Sequence, residues 1–401
     1  MIVLSGGDIV LPDRILTSAS LIVEGDRIAA IDTTRRTPSA DAVIDARESF
    51  IVPGFVDVHV HGVEGYDSLD SAAAIAEIAT RLPRYGVTAF CPTTVACAPD
   101  ALDGVLDQVA RARVNRRAVA ARVLPAHLES NFINPDYNGA QPKACLRRPN
   151  EDRREGSFSG RDILNVVQRR AADVGIVTVA PEVDGVLELI PAFVRAGQRV
   201  SLGHSGADYE RSMAAIDAGA SHATHLFNRM TPVTHRAPGL AGAVLSHDAI
   251  TAELICDGFH VHPAMCRLAI AAKRVDGVMA ITDGTAGSGL SPGSLARLGG
   301  RTIRVSDQAA LLEDGTLAGS TLTMDRAFRN IVTMFDMSIT DAAMMCSTTP
   351  ARAMGLAGFG VIAEGNIADL VVLDRAFRVT RTIIGGETAY EHASSGPYRI
   401  G

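Results

Sequence analysis

Two histidines set two residues apart close the apolar run Pro53 to Gly62, PGFVDVHVHG. Side chains alternate across a strand, so His59 and His61 point one way while Val58 and Val60 point the other. Imidazoles paired on one face at a strand end suit a metal ion, because neutral histidine nitrogen is a ligand for Zn and similar cations. An isolated His-x-His is more often simply a polar strand end, so the reading depends on further ligands. Four more apolar runs supply them: PAHLE ends on Glu129, SLGH on His204, HATH on His225 and AITD on Asp283. Any one of these could simply cap a strand. Five strand ends that agree are hard to produce by chance.

The number of ligands matters. A single tetrahedral catalytic ion uses about three protein groups and keeps a position open for water. Four imidazoles and two carboxylates suit two ions instead, with Glu129 the bridging carboxylate, since neither Lys143 nor Lys273 lies at a strand end. His204, His225 and Glu129 are assigned to one ion, and His59, His61 and Asp283 to the second. Asp283 has another expected job: it can take a proton from metal-activated water and hand it to a leaving amine. The structural alternative is a helix N-cap before GTAG.

Strands must carry these residues to one place. Eight candidates alternate with amphipathic stretches from residue 51 on: FIVPGFVDVHV, VTAFCPTT, RVLPAHLE, IVTVAPE, RVSLGHS, HATHLF, TAELICDG and GVMAITD. Strand and helix repeated to eight is the pattern of an α/β (β/α)8 TIM-like barrel, whose chemistry sits at the C-terminal strand ends. The first fifty residues read as short strands with hairpin turns, and ADLVVLDRAFRVTRTIIGGETAY returns to strands near the end. The expected organisation is a small β-sandwich domain made from residues 1–50 and 358–401, around a catalytic barrel over 51–357. Residues 136–158 form a long polar insertion after the third strand, and such loops are usually functional. His127 should share the face of Glu129 in a supporting role, and His222 should turn into the core. The Gly-rich stretch 284–294 reads as a mobile active-site loop, with a phosphate cradle as the weaker alternative.

The chain is 47% hydrophobic and 21% charged over 401 residues, with a net charge of −7 and no basic tract. That balance argues for a globular protein and against nucleic acid as a partner. No apolar run reaches membrane-spanning length and the N-terminus lacks a signal pattern, so a cytoplasmic, membrane-free protein is expected. Six cysteines without a CxxC spacing read as buried free thiols.

With these residues in place the chain resembles the amidohydrolase superfamily, and within it the N-acetylglucosamine-6-phosphate deacetylase family. The likeness runs through PGFVDVHVHG, HLESNFINP, SLGHSGA, ATHLFNRM, RAPGLAGAVL, CDGFHVHP, ITDGTAGSG and LAGSTLTMDRA. It implies hydrolysis of an N-acetyl amide on a small amino-sugar phosphate by a divalent metal enzyme, with Zn first and Fe, Co or Mn as alternatives, one or two ions per chain. Carried over, the metal ligands fall on Glu129, His204 and His225, and the catalytic acid on Asp283. Substrate contacts fall on Asn228 and the next backbone amide, on Arg236 and on His260. The resemblance also suggests a homodimer that shares substrate residues across its interface. Three departures stand out. Ser130 and Asn131 replace Gly-Pro, Gln141 replaces a histidine that donates to the amide carbonyl, and Arg229 replaces a small residue beside the phosphate-contacting amide. They fit either an adjusted sugar-phosphate deacetylase or a relative acting on another substrate, such as an N-acyl amino acid or a cyclic amide.

Overall fold

The computed structural model describes residues 1–34, 40–70, 73–151 and 157–392. Residues 71–72 at the head of the first amphipathic stretch, 152–156 of the polar insertion and the tail beyond 392 lie outside the described residues.

Eight parallel strands form the barrel: β1 (Phe55–Val60), β2 (Val87–Thr94), β3 (Ala126–Glu129), β4 (Val174–Val179), β5 (Arg199–Leu202), β6 (His222–Ala223), β7 (Thr251–Ile255) and β8 (Val278–Ile281). Each pairs in parallel with the next, from β1 on β2 to β7 on β8. The circle closes just past β8, where Asp283 N donates to His59 O at 2.9 Å and His61 N donates to Gly284 O at 2.8 Å. Most barrel strands are buried throughout, as expected when helices cover the outer face.

Helices α1 (Ala74–Arg81), α2 (Pro99–Val114), α3 (Gly160–Arg169), α4 (Val186–Arg195), α5 (Tyr209–Asp217), α6 (Gly239–Ser246) and α7 (Pro263–Lys273) lie between strands, and α8 (Met324–Thr333) follows the last one. In α2, Pro99 starts the helix where its missing N–H costs nothing, and Leu102, Val105, Leu106 and Val109 make one buried stripe. Each such side chain contributes roughly 1.5–3 kcal/mol on burial. The sequence offers no periodic signal for α6, because GLAGAVLS is apolar all round and Gly-rich.

The strands of the two chain ends join one sheet, in which Ser49–Pro53 pairs with Leu370–Asp374 on one side and with Ile2–Val10 on the other. Its core holds Leu4, Ile9, Leu21, Ile51, Leu370 and Ile383. Ile28 N donates to Asn366 O, and Ala368 N to Asp26 O, so the sheet curls round that core.

Three strand readings need correction. FIVPGFVDVHV is two strands: Ser49–Pro53 belongs to the terminal sheet and only β1 belongs to the barrel. They part at Gly54, where a Cβ would lie 2.3 Å from Thr88 Oγ1. RVLPAHLE is interrupted before Pro125, which lacks an amide hydrogen for the ladder, and Arg122–Val123 pairs with β2 alone. HATHLF keeps only two strand residues, since His225 and Phe227 take left-handed backbone at φ 28 and 75.

Candidate active site

The predicted ligands meet at the C-terminal mouth of the barrel. His59 and His61 come from the end of β1, with Val60 between them facing the other way. Glu129 is the last residue of β3. His204, His225 and Asp283 lie just beyond β5, β6 and β8, with φ 48, 28 and 47. A side chain in that backbone region costs energy, and such outliers cluster where geometry serves function. All six residues are buried.

Glu129 sits at the centre. Its Oε1 lies 2.7 Å from His204 Nε2 and 2.9 Å from His225 Nε2, and Oε2 lies 3.4 Å from His61 Nε2. Asp283 Oδ1 lies 3.2 Å from Nε2 of both His59 and His61. Two ligand groups therefore share one mouth, with Glu129 reaching both.

The second ring nitrogens decide what these groups can hold. His204 Nδ1 is 2.7 Å from the Tyr137 carbonyl, to which only an N–H can donate. With that proton on Nδ1, the neutral ring turns a lone pair towards the Glu129 carboxylate, and His225 Nε2 sits only 3.1 Å from His204 Nε2. His59 repeats the pattern, giving its Nδ1 proton to Glu253 Oε2 at 2.9 Å and facing Asp283 with Nε2. Lone pairs converging on carboxylate oxygens require positive charge between them. Protons supply it in part: burial opposes charging His61, yet Asp283 and Glu129 carry its pKa up to about 9. A divalent cation meets the same demand with the ligand chemistry such ions prefer, so the residues fit a metal. Asp283 stays ionised, because His59 and His61 overcome the burial that would raise its pKa.

Sequence reasoning missed the layer beneath. Glu253, in the middle of β7, is fully buried and accepts from His59 Nδ1 and from the His225 amide at 3.3 Å. The signal was an acid inside the apolar run TAELICDG. Asp57 accepts from Thr282 Oγ1 at 2.6 Å, and burial pushes its pKa up to about 7. His127 does support the site. Burial pushes its pKa down to about 4, so it stays neutral, donating to Val58 O at 3.0 Å and accepting from Thr178 Oγ1 at 2.8 Å. His222 is buried in the core, with its pKa likewise pushed down to about 4.

A cavity of about 440 Å³ opens above the cluster, lined by Gln141, Asn228, Arg229 and His260 besides the ligands. Gln141 is engaged at both ends of its amide: its NH₂ donates to Glu129 Oε2 and its Oε1 accepts from Ala96 N at 2.7 Å. Its amide thus braces the Glu129 carboxylate. Ser130 and Asn131 turn away from the cavity, donating to the backbone oxygens of Thr178, Cys97 and Cys145. His260 pairs with Asp257 at 2.6 Å, which outweighs burial and raises its pKa. Arg236 is not brought to this cavity; it sits on the exposed stretch 232–237. The Gly-rich stretch is buried through Ser288, and Ala286 O and Ser288 O accept from Gly65 N and Glu64 N. That first part is packed against the end of β1, unlike the mobile loop expected over 284–294, whereas 289–294 is largely exposed. A three-stranded sheet, Leu295–Leu298, Arg301–Val305 and Ala310–Leu311, lies beside the mouth and contributes Leu298 to the lining.

Known proteins share this architecture. The chain is 34% identical over 388 residues, 95% of each chain, to N-acetylglucosamine-6-phosphate deacetylase of Bacillus subtilis (strain 168). It is 33% identical over 364 residues to N-acetylgalactosamine-6-phosphate deacetylase of Escherichia coli O157:H7, covering 90% of this chain and 92% of that one. The crystal structure of N-acetylglucosamine-6-phosphate deacetylase from Pasteurella multocida superposes with a TM-score of 0.89 at 28% identity, covering 96% of this chain and 99% of that one. A family model described as "Amidohydrolase family" matches residues 50–389, the barrel and its flanking strands, and the chain belongs to that family.

Proposed function

We propose that this chain removes the N-acetyl group from an amino-sugar 6-phosphate, giving acetate and the free amine. The observation that carries the reading is the pair of convergent ligand groups around Glu129 at the floor of a polar cavity. A divalent ion held by Glu129, His204 and His225, with a second at His59, His61 and Asp283, would lower the pKa of water and polarise the amide carbonyl. Zn is the first choice for imidazole and carboxylate donors.

The chain's own residues do the rest. Asp283, buried and ionised, takes the proton from the attacking water and returns it to the departing nitrogen. Glu253 and the Tyr137 carbonyl fix the ring orientation of His59 and His204. Gln141 holds Glu129, while Asn228 and His260 face the sugar. In a homodimer Arg236 would serve a neighbouring cavity, since it does not line its own.

The test is acetate release by metal-loaded protein from N-acetylglucosamine 6-phosphate, its galactosamine epimer and the two unphosphorylated sugars. Turnover with a phosphate preference near a hundredfold, about 2.7 kcal/mol of transition-state discrimination, is expected. No release from any of the four, with metal bound, would sink the proposal and move the search to other N-acyl compounds.

A further inference from the structure

At the end of the barrel opposite the catalytic cavity a second cleft, of about 890 Å³, opens among the N-terminal ends of β3, β4 and β5. Val123 to Pro125 lead into β3, Val174 and Gly175 begin β4, and Arg199 begins β5. β4 is six residues long, so about 17 Å of strand separates this cleft from the catalytic mouth. Leu124 and Met354, both buried, belong to an apolar wall that Val114, 83% exposed, carries out to the surface.

Four arginines line the cleft, Arg113, Arg116, Arg122 and Arg199, against one carboxylate among the described residues of the lining, Asp173. Two of the four are neutralised. Arg113 Nη1 pairs with Asp173 at 2.6 Å, and Arg122 forks onto Asp369 through Nε and Nη2 at 2.9 and 3.0 Å. The other two are not. Arg116 donates to Ala118 O at 3.3 Å and Arg199 Nε to Ala353 O at 2.8 Å, and no described carboxylate lies within ion-pair distance of either. The helix dipole accounts for Arg113 in the last turn of α2, but not for Arg116 beyond that helix or for Arg199 on a strand. Arg116 also stands beside Arg122: a Cβ on Gly385 would lie 3.2 Å from Arg122 Nη2 and 3.9 Å from Arg116 Nη2. Burial, and then the Arg122 charge, pull the Arg116 pKa down.

We propose that this cleft binds a phosphorylated metabolite of the nucleoside monophosphate class, with its phosphate on Arg116 and Arg199 and its flat body on the apolar wall. Planar guanidinium groups match phosphate oxygens two at a time, and two of them here have no anion of their own. The volume lies within the range of small-molecule sites, about 300–1,000 Å³. The lining also selects the body. Apart from the arginines and Asp173, no described side chain in it is polar. A sugar would leave hydroxyls unpaired against Leu124 and Met354, whereas the face of a purine loses no hydrogen bond there. The site is independent of the reaction proposed above and stands or falls without it.

The probe is adenosine 5′-monophosphate, titrated by calorimetry into full-length, metal-loaded protein, with adenosine and inorganic phosphate as its two halves. One site per chain is expected, with an affinity at least about tenfold above that for either half. Arg116→Ala and Arg199→Ala should each lower the affinity about tenfold or more, as loss of a charge-assisted pair does. Arg116→Lys, a point charge without the fork, should fall between wild type and Arg116→Ala. Arg116 lies on the exposed stretch 115–119, so its variants keep the fold even if Arg199→Ala does not. Arg229→Ala, in the catalytic cavity, should bind the probe as wild type does. No binding at millimolar probe, or inorganic phosphate bound as tightly as the nucleotide, would overturn the proposal. So would an affinity that survives Arg116→Ala and falls in Arg229→Ala, which would put the probe in the catalytic cavity.

Discussion

Glu253→Ala removes the carboxylate beneath the His/Glu cluster, a residue that is not itself part of the cavity lining. Two buried donors lose their acceptor, His59 Nδ1–H at 2.9 Å and the His225 amide at 3.3 Å. Each orphaned donor costs about 1–3 kcal/mol, so the fold should lose about 2–6 kcal/mol. His59 also loses what fixes its tautomer and ring orientation. Losing such a partner lowers metal affinity about 10–100-fold, or about 1.4–2.7 kcal/mol. Glu253→Gln keeps an oxygen that can accept but drops the charge, so it should sit near the tenfold end and unfold less readily than Glu253→Ala. The assay is metal content per chain after dialysis, with affinity from competition against a coloured chelator and stability from thermal melts. If folded Glu253→Ala retains the wild-type affinity and stoichiometry, Glu253 does not position the ligands and the argument from the second ring nitrogens fails.

Asp283→Asn should keep its fold but lower kcat about 10²–10⁴-fold on the N-acetylated substrate, as measured by acetate release, because the amide cannot accept the proton. Gly54→Ala places a Cβ 2.3 Å from Thr88 Oγ1. Overpacking there should cost about 1–3 kcal/mol in denaturant melts, with part recovered by Thr88→Ala. His222 gives a pH test: burial holds its folded pKa at about 4 against an ordinary 6.5. Below pH 6.5 the unfolded chain takes up the proton first, so this group's stabilisation is lost as pH falls towards 4. Between pH 7 and pH 5 the wild type should lose about 2 kcal/mol more than His222→Gln. Equal losses in paired melts would refute the assignment.

The sequence by itself determined which residues could carry the chemistry. Period-two alternation sends His59 and His61 one way, and a polar residue closing each of PAHLE, SLGH, HATH and AITD marks a strand mouth. Repetition of strand and helix then implies the barrel that brings those mouths together. What it could not determine depends on atoms far apart in the chain. Glu253 lies 194 residues from His59, and nothing local in TAELICDG says which ring it will meet. Whether Gln141 faces a substrate or a ligand depends on the loop that places its NH₂ against Glu129, 12 residues earlier. The left-handed turns at His204, His225 and Asp283 extend no hydrophobic pattern, since they arise after the strand has ended. Strand and helix faces are written in periodicity because local sterics enforce them. Hydrogen-bond partners across the barrel exist only once the fold has closed.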